Sequence, residues 1–126
     1  MYKLLATDLD GTLLDARTTV SRSTAATLRD AERRGLQIVI CTGRAYSSAF
    51  FYARELGLQA YILSANGAQA RDPDGNQLFL SPMADHLADS VIDIAHQFRL
   101  PFEMFTPHAV VSDTKPYRSR LWDALG

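Results

Sequence analysis

The chain has one cysteine, no apolar run long enough to cross a bilayer, and no surplus of either charge. Each shortage removes a class of function. A lone thiol, Cys41, cannot close an internal disulfide, which fits a reducing compartment. No apolar segment approaches the roughly 20 residues that span a membrane, so no membrane partner is expected. Lys and Arg number 13 against 14 Asp and Glu, a net charge of -1, with the two signs interspersed. Nucleic acid needs a concentrated basic patch and is not an expected partner. The N-terminus runs straight into "MYKLLATDL", strand-like and too soon charged for a signal peptide. The expectation is a soluble cytoplasmic protein of about one domain's size, without internal repeats or low-complexity linkers.

What is present is an alternation. Apolar runs at Leu4 to Leu9, Gln37 to Cys41 ("QIVIC") and Ala60 to Leu63 are separated by helical patterns. Continuous hydrophobicity marks strands of a buried parallel sheet. In "SRSTAATLRDAERRGL", Ser21 or Ser23 caps a helix, Ala25, Leu28 and Ala31 form its apolar stripe, and Gly35 stops it. In "AYSSAFFYARELGL", Ala49, Phe50, Ala53 and Leu56 share a face, and Gly57 ends it. This βαβαβ order predicts an α/β fold with an open, doubly wound parallel sheet.

After Asn66 the pattern changes. "AQARDPDGNQLFLS" predicts a hairpin turning at Asp74-Gly75 or Gly75-Asn76. A third helix is expected from about Ala84 to Arg99, with Leu87, Val91, Ile94, Ala95 and Phe98 as its core face. "PFEMF" and "HAVVS" are candidate strands, and Trp122 and Leu125 mark a candidate helix start. The expected division is residues 1–70 and 71–126, the second part being α+β.

Each of the first three strands ends in a polar cluster: "DLDGT" (Asp8 to Thr12), "TGR" (Thr42 to Arg44) and "SANGA" (Ser64 to Ala68). In open α/β sheets ligands bind beyond the carboxyl ends of strands, so the three clusters should meet at one rim. Asp8 and Asp10, two apart on extended backbone, project to the same side. Two carboxylates together are costly unless a cation binds them or one is protonated. An all-oxygen site with open positions suits Mg²⁺. A carboxylate is also a nucleophile toward phosphorus. Gly11 permits a tight turn with amides facing an anion. The Thr42 hydroxyl and the Gly43 N–H suit phosphate oxygens, and Arg44 suits a phosphate or an acidic group.

Plainer readings stand beside these. Asp-X-Asp-Gly alone is a turn or a calcium-loop fragment, although Leu13 and Leu14 interrupt the ligand pattern of the latter. "TGR" alone is a helix start capped by Thr42, and "NGA" alone is a turn. Cys41 reads as a buried core thiol. His86, His96 and His108 lack metal-ligand spacing. "DPDGN" repeats the Asp-X-Asp-Gly pattern between strand-like segments and reads as a turn. Phe98, Phe102, Met104 and Phe105 read as core.

From Tyr2 to about Val111, with Asp8 to Leu14, Thr42 to Arg44 and Asn66 to Ala68 as its motifs, the chain resembles the haloacid dehalogenase-like (HAD) superfamily. More narrowly it resembles the Cof-type sugar-phosphate phosphatases. The resemblance implies a Rossmann-like core whose second half is missing, followed by the start of an α+β cap. It implies that Asp8 attacks phosphorus to give an aspartyl-phosphate, and that Asp10 protonates the leaving oxygen and then activates water. Mg²⁺ would lie on Asp8 and the carbonyl of Asp10. Leu9, Thr42, Gly43 and Arg44 would hold the phosphate, and Asn66 and Gly67 the substrate side. The substrate would be a small phosphorylated metabolite.

The family's later motifs supply a lysine and a Gly-Asp pair. This chain has no Gly-Asp dipeptide, and Lys3 and Lys115 do not match the lysine's place. The chain therefore looks like an N-terminal half, expected to be weakly active or inactive alone, with an incomplete sheet edge open to self-association. The alternatives are a non-catalytic half-domain that binds a phosphorylated ligand or a partner chain, and a phosphosugar mutase.

Overall fold

The computed structural model describes residues 2–106 and 109–112. His108, Lys115, Trp122 and Leu125, and the helix start expected at the last two, lie outside the described residues. The elements are β1 (Leu4–Thr7), α1 (Arg22–Arg33), β2 (Gln37–Cys41), α2 (Tyr46–Glu55), β3 (Tyr61–Ser64), a 3₁₀ turn (Ala65–Gly67), β4 (Gln69–Arg71), β5 (Gln77–Leu80), α3 (Asp85–Gln97), β6 (Glu103–Phe105) and β7 (Val110–Ser112).

The first five strands form one sheet in the order β1-β2-β3-β4-β5. β1, β2 and β3 are mutually parallel, and β4 and β5 continue antiparallel. This is the expected α/β architecture with a parallel-rich sheet. Ile38 and Ile40, two apart on β2, face the same way. They share one buried cluster with Ile62 of β3, Leu28 of α1, and Ala49 and Ala53 of α2. Small residues on α2 let the helix approach the sheet closely. Ser21 caps α1 by accepting from the Thr24 N–H at 3.0 Å.

β1 is shorter than expected, ending at Thr7 instead of Leu9. The Leu9 carbonyl accepts from the N–H groups of Thr12 and Leu14, so the chain is already turning there. Gly11, at φ 71°, takes the left-handed conformation that turn requires. The Leu9 side chain is nonetheless fully buried, which anchors the loop from below.

Two compact units divide after Ser81. The expected boundary at 70/71 falls inside β4, because the hairpin pairs with β3 and so continues the sheet. The hairpin turn is the one expected: Asp72 accepts from the N–H groups of Asp74 and Asn76, and Gly75 has φ 86°.

The unit from Pro82 onward holds α3 and the β6–β7 pair. Here one expectation is corrected. Leu87, Val91, Ile94 and Phe98 were expected to be core, yet each is more than half exposed and only Ala95 is buried. The amphipathic pattern is real, but among the described residues no element covers that face. Phe102 and Met104 are half-buried and Phe105 is exposed, so they too fall short of core. Among the described residues no helix is long and apolar enough to cross a membrane.

Candidate active site

Strand register builds the site. Thr7 pairs with Ile40 and Cys41 with Leu63, so the residues just beyond β1, β2 and β3 emerge at one level. Asp8, Thr42, Gly43, Asn66 and Gly67 line one open cleft of about 370 Å³, with Cys41 and Leu63 in its walls. The three polar clusters expected at one rim do meet there.

Asp8 is exposed, and its Oδ1 accepts from the Leu9 N–H at 2.7 Å. The amide assigned to phosphate by resemblance thus engages the adjacent carboxylate here. Thr42 is buried; its N–H donates to the Leu63 carbonyl at 2.9 Å and its Oγ1 accepts from the Arg44 N–H at 3.2 Å. It does not cap α2. Ala45 is the cap residue there and makes no side-chain bond.

The 3₁₀ turn is stapled to the same loop. The N–H groups of Ala65 and Asn66 donate to the carbonyls of Arg44 and Thr42, at 2.9 and 3.2 Å. Ala65 and Asn66 both adopt positive φ, 50° and 56°, a cost that these bonds offset. A Cβ at Gly43 would lie 2.8 Å from Asn66 Oδ1, so any other residue there would displace the Asn66 side chain.

Arg44 turns away from the expected phosphate position. Its Nε and Nη2 donate to the two oxygens of Asp10 at 2.7 and 2.6 Å, a bidentate pair. The hydrogen bonds to Asp10 push the guanidinium pKa further up, against partial desolvation. Two residues absent from the sequence-level site hold this arginine. Ser48 Oγ accepts from Nη1 at 3.2 Å, and the Tyr52 ring lies 5.1 Å from the guanidinium carbon. The spacing Arg44, Ser48, Tyr52 was the available signal.

Cys41 is half-buried in the cleft wall instead of fully buried in the core, because it is the last residue of β2. Burial, and then the charge of Asp8, raise its thiol pKa, which disfavours the reactive thiolate.

The cleft offers an exposed carboxylate oxygen pair at Asp8, beside the hydroxyl-bearing Thr42. That chemistry fits Mg²⁺, which keeps several waters and few protein ligands. Among the described residues no group of three or more His, Cys, Asp or Glu side chains gathers into a metal cage.

The family model of haloacid dehalogenase-like hydrolases matches residues 5–122. Phosphatase YwpJ of Bacillus subtilis is 34% identical over 108 residues, which are 86% of this chain and 38% of that protein. An HMP-PP phosphatase of Serratia proteamaculans is 36% identical over 92 residues, 73% of this chain and 34% of that protein. A solved haloacid dehalogenase-like hydrolase from B. subtilis superposes with a TM-score of 0.85 at 32% identity, over 96% of this chain and 42% of that one. The chain belongs to the haloacid dehalogenase-like hydrolase family. It spans less than half the length of these relatives.

Proposed function

We propose that these residues carry the nucleophile half of a Mg²⁺-dependent phosphatase of small phosphorylated metabolites, of the Cof type and acting on sugar phosphates. The observation that carries this reading is Asp8, exposed at the end of β1 in one cleft with Thr42, Gly43, Asn66 and Gly67. The names of the relatives support the phosphatase chemistry. The residues from the hairpin onward are proposed as the start of the cap.

Asp8 attacks the substrate phosphorus, forming the O–P bond of an aspartyl-phosphate as the bond to the leaving oxygen breaks. Asp10 gives that oxygen its proton. In the second half Asp10 takes a proton from water, which attacks phosphorus and releases phosphate from Asp8. Two guanidinium hydrogen bonds from Arg44 fix the direction of the Asp10 carboxylate. The Thr42 hydroxyl and the Gly43 amide hold phosphate oxygens, with the Leu9 amide joining once Asp8 is esterified. Asn66 and Gly67 face the rest of the substrate. Bound to Asp8 and the Asp10 carbonyl, Mg²⁺ supplies neutralisation of the charge between nucleophile and phosphate.

The test is phosphate release from p-nitrophenyl phosphate in the presence of Mg²⁺ by a longer chain that also carries the family's lysine and Gly-Asp motifs. Asp8→Asn should eliminate it, as should EDTA; undiminished release by the variant overturns the nucleophile assignment. A second reading, a half-domain that binds a phosphorylated ligand or another chain, is favoured by the open edge of β1. Tyr2 and Leu4 there are 93% and 52% exposed. Under it, the longer chain also releases no phosphate, and the 126-residue chain associates with itself through that edge.

A further inference from the structure

Asp10 is more exposed than its partner: its side chain is 55% accessible, whereas that of Arg44 is 13%. Ion pairs reaching into solvent are usually loose, because immobilising two flexible side chains offsets their attraction. Here the immobilisation falls on the arginine and is supplied by α2. The Tyr52 ring faces the guanidinium carbon at 5.1 Å, within cation–π range. Ser48 Oγ takes Nη1 at 3.2 Å, and Nε and Nη2 go to Asp10. Each of the three guanidinium nitrogens therefore has a defined direction. Tyr52 is itself fixed, packed against the core cluster and edge-on to Phe51 with centroids 5.4 Å apart.

We propose that Tyr52 and Ser48 are positioning residues, which aim the Arg44 fork so that it grips both oxygens of Asp10. The inference rests on the proposed role of Asp10, and it adds residues that touch neither substrate nor metal. Arg44, Ser48 and Tyr52 recur at four-residue spacing, which brings them to one side of the helix and the loop before it. Asp10 reaches them only through folding, 34 positions earlier in the chain. A plain core role for Tyr52 would be served by any apolar side chain of similar size. The positioning role needs an aromatic face.

The experiment is hydrogen exchange of the Arg44 Nε–H in the ¹⁵N-labelled 126-residue chain, with the resonance assigned by its loss in Arg44→Lys. Asp10→Asn should speed exchange most. Tyr52→Leu should speed it by at least about two- to fivefold, the range expected from losing one cation–π contact, while Tyr52→Phe, which keeps the ring and loses the phenol oxygen's interaction with Arg44, should lie between Leu and wild type. The backbone amides of Ile38 and Ile40 should be unmoved. An unchanged Arg44 rate in Tyr52→Leu overturns the proposal, as does an increase matched by the Ile38 and Ile40 amides, which would mean general loosening. Should Tyr52→Leu not fold, Ser48→Ala decides: faster Arg44 exchange with unmoved sheet amides supports the proposal, and no change overturns it. None of these readouts depends on turnover. Failure of the Asp8→Asn assay sinks the phosphatase reading and leaves this geometry standing, and the reverse also holds.

Discussion

Asp8 and Asp72 both begin an Asp-X-Asp-Gly sequence, and the fold uses them in opposite ways. Asp72 is consumed locally, accepting from the Asp74 and Asn76 N–H groups and from Asn76 Nδ2. The Asp8 carboxylate accepts from the Leu9 N–H, and Asp8 lines the cleft. Position relative to the strands separates the two, and that was legible in the sequence. The hydrogen bonds of Asn76, led by its side chain, hold the Asp72 carboxyl below its ordinary value of 3.8. A group depressed on folding stabilises the fold above its unfolded pKa, and that contribution is lost as pH falls through the folded one. Asp72→Asn should therefore lower stability at neutral pH and converge on wild type in acid, flattening the fall of stability below about pH 4, as a urea midpoint series reads out. Asp15 behaves likewise through Thr19 and Arg17, so the acid limb should shrink without vanishing. The pairing of Asp10 with Arg44 was not legible, because no local pattern reports which of several carboxylates a distant arginine will choose.

Among the elements, α1 shows how much a short sequence pattern contains. Serine before an apolar stripe and glycine after it set both ends, and Ser21 is the residue that caps. Ser21→Ala should cost about 1 kcal/mol, measured as a lower urea midpoint with unchanged slope. For α2, the buried face of Ala49, Ala53 and Leu56 follows its periodicity. Its other service, holding Arg44 through Ser48 and Tyr52, shows in the sequence only as the four-residue spacing of the three, which does not say what the arginine then grips. The apolar stripe of α3 shows the limit from the other side. Periodicity tells which face a helix offers for burial, and only the surrounding chain decides whether something covers it.

For the whole molecule, the sheet has unequal edges. β5 is one edge, and its pairing with β4 is interrupted by a register shift between Ala70 and Arg71. β1 is the other edge, and it carries exposed Tyr2, Leu4 and Leu5 beside the proposed nucleophile. Unpaired apolar edges invite another strand. Sedimentation of the chain should show association that rises with concentration, and Leu4→Lys should weaken it by charging the edge. A single species across concentrations in the wild type would rule this out.

The sequence by itself determined the alternation of strands and helices, the hairpin and the three polar clusters, because each is carried by residues adjacent along the chain. It also determined the family, since the motifs at Asp8, Thr42 and Asn66 keep their order and spacing. Only the tertiary structure decided that Arg44 serves Asp10 and that the 3₁₀ turn is stapled to the Thr42 loop. Those outcomes depend on the parallel register of β1, β2 and β3, which sets distant residues level with one another. Register is fixed by packing summed over the whole sheet, and no single stretch of the sequence contains it.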